Sequence, residues 1–467
     1  MLPKAAHYNP PVLEKVFKLR ARGTNVRAEV VGGLTTFVTM AYIIIVNPAI
    51  LSFAGLPTGP STVATILTAA FGCLLMGLYA NRPIAVAPYM GENAFLAFGL
   101  AALGISWQQR LGAVFVSGAL FALITLLGVR TWLARSLSTS MKHSFAVGIG
   151  LFLALIGLYE TGIVTSFVTG MPTAPLLAAD GVLRKPDVPL KLGDLSDPRV
   201  LLAIATLVLM VTLLYRKVRG ALLIAIAASA AAGYLWGVDK MPADFFASPF
   251  DSEYSLGAIA FQLDIAGVLR LGFLPILLTL FLMSLLDTLG TLLGLGAAGG
   301  MLDSKGDFPD VEKPMMVDAI TCMFSGLVGT STSGAYIESA AGIREGARTG
   351  LAAVVTALLF LLSLFFLPLV SPLQQLRYAY GPALIVVGLL MVVSVRHIDF
   401  DDLTELVPAF ATITLMTFTY NIANGLTAGL VLYPIVKVLA GRGRELSAGA
   451  IALGAMCLLY YVFGLRH

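Results

Sequence analysis

The chain has 467 residues, 58% of them hydrophobic and only 12% charged, about half the charged share of a soluble domain. This composition excludes a soluble enzyme or binding module and requires a polytopic protein embedded in a lipid bilayer. The formal net charge of +4 is spread over loops, so it reports orientation across a membrane and leaves no nucleic-acid footprint.

The opening MLPKAAHYNPPVLEKVFKLRARGTNVRAE is basic and amphipathic and lacks the apolar region of a cleavable signal, so residues 1–26 read as a cytoplasmic lead-in. A spanning helix needs about 20 apolar residues. Fourteen such segments follow, at about 28–53, 61–80, 84–104, 109–128, 140–163, 198–216, 219–238, 270–296, 315–330, 331–346, 350–371, 379–395, 403–419 and 422–440. With the segments alternating in direction, Arg82, then Arg130, Arg135 and Lys142, then Arg216, Lys217 and Arg219 share the side of the N-terminus. Arg344 with Arg348, Arg396, and Arg442 with Arg444 continue the pattern. The positive-inside rule therefore places the N-terminus in the cytoplasm of a plasma-membrane protein. The loops near 164–197 and 239–269 then face outward, the second carrying Asp244, Asp251, Glu253 and Asp264. A last apolar run, Ala448 to Leu465, reads either as a further span or as an interfacial helix.

Segments three and ten are broken. PIAVAPYMGENAFLAFGL starts with prolines and turns at Gly91, and GTSTSGAYIESAAGI starts with hydroxyl residues and Gly334; each is expected to begin extended and end as a short helix. Their corresponding places, seven segments apart, point to an inverted-repeat transporter with its site at the midplane. Aligned on the carboxylate, Glu92-Asn93-Ala94 matches Glu338-Ser339-Ala340. Non-helical backbone at membrane depth is tolerated only where it lines a cavity or is buried in protein. Its freed N–H and C=O groups, with two half-helix N-termini, suit a polar planar ligand.

Asp287 is the only charge in FLMSLLDTLGTLLGLG, and an intramembrane acid costs at least about 2.5 kcal/mol and usually marks a substrate or ion pathway. Ser284 and Thr291, at i−3 and i+4, share its stripe. The stripe holds a proton, sodium or a base; the plainer reading is an acid bonded to neighbouring hydroxyls for packing. Glu338 opens a half-helix, where it reads as a ligand contact or as a helix cap. Asn93 donates and accepts at once, which suits a purine edge or a cap equally well. Glu92, facing the interior or a vestibule, reads as a second proton site. Thr36, Thr39 and Tyr42 read more readily as interhelical glue than as pocket lining. Asp318 is expected to cap the ninth segment at its cytoplasmic end, and Gly290, Gly294 and Gly296 to let helices approach closely. Cys73, Cys322 and Cys457 lie in apolar segments without pairing or metal spacing, and His7, His143, His397 and His467 lie at ends or loops. There is no metal or nucleophile constellation, and no cofactor is expected.

SLLDTLGTLLG, GTSTSGAYIESAAGIREGARTGL, GLTTFVTMAYIIIVNP and LVPAFATITLMTFTYNIANGLTAGL resemble the adenine-guanine-hypoxanthine permeases, a branch of the nucleobase transporters related to uracil and xanthine permeases. The similarity runs from about Arg27 to Gly441, and GTST with AYIESAAG is its specific signature. It departs at Glu92, where MGLNA is the commoner form. The resemblance implies an all-α membrane fold of fourteen segments in two inverted seven-helix repeats. A core domain would comprise 27–128 and 270–371, and a gate domain 129–240 and 372–467, with 241–269 as an extracytoplasmic loop.

It also implies a secondary active transporter, not an enzyme, that imports purine nucleobases by proton symport with alternating access, often as a homodimer. Carried onto this chain, the eighth- and tenth-segment acids are Asp287 and Glu338, with Asn93 and the backbone of Ala94 at the base. Ile337, Ser339 and Thr291 join them as expected substrate contacts. Asp287 and Glu338 are expected to serve proton coupling, and Glu92, which the family pattern does not supply, is expected as a further proton site on its own chemistry. A carboxylate accepts two adjacent N–H donors, which guanine and protonated faces of other purines present. The alternatives are uracil or xanthine as cargo, sodium as the coupling ion, and an anion exchanger, which Glu338 disfavours by repulsion.

Overall fold

The computed structural model describes residues 10–100, 103–128, 136–172, 188–241, 251–302 and 308–463. Arg130, Arg135, Asp244, His7 and His467, named above, lie outside them. Every expected segment has a counterpart among the described residues. Among the described residues nine helices are long and apolar enough to cross a membrane, and Ala221–Leu235 and Leu403–Phe418 are shorter apolar helices. The ninth segment, Glu312–Val328, begins with charged residues, and the third and tenth are the broken pair. The final run forms the helix Ala448–Phe463, packed on Ile422–Leu439.

The first segment shows how local chemistry shapes the fold. Asn25 caps Val26–Met40 by accepting from the Ala28 N–H at 3.0 Å. The helix turns at Ala41 and Tyr42 and resumes as Ile43–Ser52, which contains Pro48. Proline has no N–H and crowds the carbonyl four residues back. That carbonyl, on Ile44, instead accepts from Gln374 Nε2 at 3.1 Å. At the other end of the segment, the wholly buried Glu29 accepts the N–H groups of Arg348, Thr349 and Ala352 at 2.7, 3.1 and 3.2 Å. A carboxylate from the first segment thus caps the N-terminus of the eleventh, Gly350–Ser363, where the helix dipole favours it.

The broken segments meet. Prolines and Gly334 prevent helix at their starts, and each opens with a strand, β1 (Val86–Pro88) in the third and β4 (Ser333–Ala335) in the tenth. They pair antiparallel, Val86 with Ala335, Ala87 with Gly334 and Pro88 with Ser333. The ladder extends by Tyr89 N–H to Thr332 O and Tyr336 N–H to Ala85 O, both 2.9 Å. One spacing separates Ala85 from Thr332, Val86 from Ser333 and Tyr89 from Tyr336, as two inverted repeats demand. Behind each strand a cysteine holds its first residue. Cys73 Sγ lies 3.2 Å from Val86 N and 3.4 Å from Val86 O, and Cys322 Sγ 3.2 Å from Ser333 N and 2.9 Å from Ser333 O. Among the described residues of the two long connections, β2 (Val164–Ser166) pairs with β3 (Leu190–Leu192) in a small hairpin, and Ser252–Tyr254, Leu256–Ala258 and Ile265–Val268 form short helical turns.

After the strands, Met90–Ala94 and Ser339–Arg344 form the half-helices, the first continuing as a π-turn, Phe95–Gly99. Arg110, almost wholly buried, donates Nη1 to the carbonyls of Leu96 and Ala97 at 2.6 and 3.2 Å and Nε to that of Ile105 at 3.0 Å. Its charge satisfies orphaned carbonyls at that helix end. Around this centre Glu312–Val328 packs on Trp107–Leu126, and Gly350–Ser363 packs on Val26–Met40 and Thr58–Leu75. Arg377–Val392 and Leu403–Phe418 both pack on Thr139–Glu160.

Candidate functional site

The site is built where the tenth segment turns from strand to half-helix opposite the eighth segment, Leu274–Gly299. Glu338 immediately precedes Ser339–Arg344 and is half-buried; its Oε1 accepts the Tyr42 hydroxyl at 2.8 Å. Tyr42 is 1% exposed, so its phenol is fixed by packing. The neighbouring Ile337 is 53% exposed. Across from them Asp287 and Thr291 are half-buried, while Gly290 and Gly294 are exposed. A side-chain carbon at Gly290 would meet nothing within 4 Å, and one at Gly294 would meet only Ile337 Cδ1, at 3.4 Å. These glycines therefore do not serve close helix approach, contrary to expectation: they keep an open strip running from Asp287 past Ile337. Gly296 does face packed neighbours, Leu302 and Phe308.

Behind the strip lies a wholly buried polar layer. Glu92 accepts from Ser284 Oγ at Oε1, 3.3 Å, and its Oε2 has no hydrogen-bond partner. Asp318 Oδ2 accepts from Thr288 Oγ1 at 2.7 Å and from the Ala335 N–H at 3.1 Å, and Thr288 in turn is 2.9 Å from the Tyr89 hydroxyl. Because Thr288 spends its proton on Asp318, Tyr89 is the donor of the second bond. Asp318 is thus no cap at a helix end. Its helix begins two turns earlier, at Glu312, and the carboxylate ties the eighth, ninth and tenth segments together with 0% exposure. Among the described residues no ion pair involves Glu92, Asp287, Asp318 or Glu338. The repeat spacing makes Gly91 the counterpart of Glu338 and Ser339 that of Glu92, so the carboxylate-on-carboxylate alignment is one residue out of register.

Asn93, Ala94 and Ser339 are buried. Asn93 Nδ2 donates to Asn47 Oδ1 at 2.9 Å, and Ser339 Oγ accepts the Ala85 N–H at 3.0 Å. Asn47, which sequence reasoning passed over, is the centre of this layer. Its Nδ2 donates to Thr65 and Thr330 hydroxyls at 2.8 and 2.9 Å, and its Oδ1 also accepts from Ser331 at 3.2 Å. The signal was present as an Asn-Pro pair in an apolar run. Thr39 bonds the carbonyls of Thr35 and Thr36 within its own helix. Tyr42 is the member of that first-segment stripe whose bond reaches the site. The rings of Tyr89 and Tyr336 lie 6.4 Å apart, 11° from parallel, and both are buried. Among the described residues no group of three or more His, Cys, Asp or Glu is placed to hold a metal.

A membrane protein of two inverted seven-segment repeats, with crossed strands and half-helices at its centre, has the fold of a transporter. The Permease family, in its xanthine–uracil form, matches residues 27–427, and this chain belongs to it. It is 44% identical to a putative permease of Methanocaldococcus jannaschii, over 97% of this chain and 98% of that protein. It is 38% identical to the adenine permease AdeP of Escherichia coli, over 97% and 96%. It is 36% identical to the guanine/hypoxanthine permease PbuO of Bacillus subtilis, over 92% and 96%. In structure it resembles the transmembrane domain of the cyanobacterial bicarbonate transporter BicA, with a TM-score of 0.61 at 15% identity over 86% of this chain and 97% of that one. At that identity the likeness carries the fold alone.

Proposed function

We propose that this permease imports purine nucleobases, adenine, guanine or hypoxanthine, across the plasma membrane by proton symport with alternating access. The observation that carries the reading is Glu338: one oxygen is held by Tyr42, and the group is half-buried beside an open strip lined by Asp287, Thr291 and Ile337. A carboxylate so oriented accepts paired N–H donors from a planar base, and the small residues of the strip leave room for its rings. Adenine and guanine/hypoxanthine permeases among the relatives support the substrate class. Asn93, Ala94 and Ser339 supply the frame behind the strip, and Asp287 carries the coupled proton.

The eighth segment supports protons rather than sodium in this reading. Sodium needs several hard oxygen ligands, commonly freed carbonyls, yet Leu274–Gly299 is a continuous helix and Thr288 is already committed to Asp318 and Tyr89. In this reading segments 1–4 and 8–11 form the core that moves against a gate of segments 5–7 and 12–14, the N-terminus is cytoplasmic, and the protein works as a homodimer.

Radiolabelled uptake into proteoliposomes tests it. In sodium-free buffer an inward proton gradient should drive accumulation of adenine, guanine or hypoxanthine above that of uracil. Uptake that stays absent under the gradient and appears only with sodium would overturn the coupling, and preference for uracil or xanthine would overturn the cargo.

A further inference from the structure

Resting on the symport reading, we propose that Glu92 is a positioning residue for the coupled proton: held neutral, it donates a hydrogen bond from its Oε2 to Asp287 and so stabilises Asp287 after the proton has left. The two carboxyls come from different segments, Glu92 from the half-helix Met90–Ala94 and Asp287 from the eighth helix. They are brought together at Ser284, which bonds Glu92 Oε1 at 3.3 Å and lies one turn before Asp287 on the same helix face. The half-helix also packs against that helix: a side-chain carbon added at Gly91 would come within ordinary contact of Met283 Cε, at 3.9 Å, its nearer neighbour being Ile149 of the fifth segment at 2.8 Å.

The hydrogen-bond inventory sets the roles. The groups that face Glu92 electrostatically are Asp287 and Asp318, and it in turn acts on Tyr89, Tyr336 and Cys322. None is a cation. A carboxylate with no exposure and no counter-charge is held far out of its favoured solvent, and two neighbouring carboxyls do not both stay charged. Asp287 is half-buried on the open strip and is the member of the pair that exchanges with solution. Glu92, wholly buried, is therefore the neutral one. In the neutral acid one oxygen is a carbonyl and accepts, which Oε1 does from Ser284; the other bears a proton and must donate. Oε2 is the oxygen without a partner. When the O–H bond on Asp287 breaks and its proton passes to solution, the electron pair stays on Asp287, and the Glu92 O–H provides the hydrogen bond that holds the charge. Among the described residues no cationic side chain is ion-paired with Asp287.

The consequence is that Glu92 sets the pH at which Asp287 lets go. Glu92→Leu removes the donor, so Asp287 keeps its proton to higher pH, and the half-maximal pH of base uptake should rise by about one to two units, the worth of a hydrogen bond to a charged group. Glu92→Gln keeps an N–H donor of similar reach and should move the curve in the same direction by less. The measurement is initial adenine uptake into proteoliposomes over a range of external pH, for the unaltered protein and both variants. A merely structural Glu92 would lower the amplitude of both curves and leave their midpoints where they were, and that result overturns the proposal, as does an acid shift. If one variant does not fold, the midpoint of the other decides. Absence of any gradient-driven uptake in the unaltered protein removes the symport reading and this inference with it; unmoved midpoints beside a gradient-driven unaltered protein remove this inference alone.

Discussion

The Tyr42 hydroxyl and Glu338 Oε1 are 2.8 Å apart although 296 positions separate them in the chain. The bond fixes which way the carboxylate points, and in the proposed reading that orientation presents it to the base. Tyr42→Phe removes about 1 kcal/mol of hydrogen bonding, so KM for the base should rise about five- to tenfold while kcat changes less. Uptake kinetics over a range of base concentrations check this; an unchanged KM would show that Glu338 needs no such orientation.

Glu338→Gln should abolish uptake and most base binding. An amide presents a donor where the base already donates, and the unpaired groups cost about 1 to 3 kcal/mol or more. Equilibrium binding of radiolabelled base to the purified variant is the measurement, and full transport would remove Glu338 from the site.

Asp287→Asn should damage coupling at least as much as affinity, because an amide cannot cycle a proton. The comparison is accumulation under an imposed pH gradient, variant against unaltered protein. Retained accumulation would count decisively against Asp287 as the carrier.

Asp318→Ala strips the acceptor from the Thr288 hydroxyl and the Ala335 N–H, both in a layer with no access to water. Leaving buried donors unpaired costs about 1 to 3 kcal/mol each. The variant should melt several degrees lower in detergent, and Asp318→Asn, which keeps one acceptor oxygen, should lose less. Equal melting of all three proteins would contradict the role given to this carboxylate.

Two glycines make a paired test. A side-chain carbon at Gly350 would sit 1.9 Å from the Gly77 carbonyl oxygen, a contact between backbones that no rotamer relieves, whereas Gly290 faces open space. Gly350→Ala should cost about 1 to 3 kcal/mol or more through overpacking and lower the melting temperature. Gly290→Ala should melt as the unaltered protein does. The reverse order would mean that the open strip closes against another segment.

The segment plan was legible because a membrane makes hydropathy decisive, and the two breaks were legible because PIAVAP and GTSTSGA carry residues that no buried helix interior favours. Glu338 and Asp287 stood out because a charge in an apolar run is rare. What stayed hidden were bonds across segments. Asn47 looked like an isolated polar residue beside a proline; that it gathers Thr65, Asn93, Thr330 and Ser331 is a fact of tertiary packing. Asp318 was misplaced because EKPMMVD reads as a polar approach to a helix, whereas the helix starts at the first of those charges and carries the aspartate two turns inward. Gly290 and Gly294 were misjudged because a small residue says only that something must pass close by, not whether it is another helix or open space. The cysteine clamps on Val86 and Ser333 left no trace in spacing, since each thiol bonds a strand in a later segment.

The crossed strands also bear on how the protein is made. Each half of the chain supplies one strand of the ladder, and the N–H of Tyr89 finds its acceptor on Thr332, far along in the second half. While the ribosome is still synthesising that second half, β1 already lies among apolar helices with its edge unpaired, where bare backbone polar groups are poorly tolerated. The first seven segments are therefore an unfinished body that depends on shelter, from the insertion machinery or a chaperone, until the tenth segment arrives. The same dependence makes the two halves natural partners in trans: expressed as separate polypeptides cut in the connection between segments seven and eight, they should protect each other from membrane proteases that degrade either one alone.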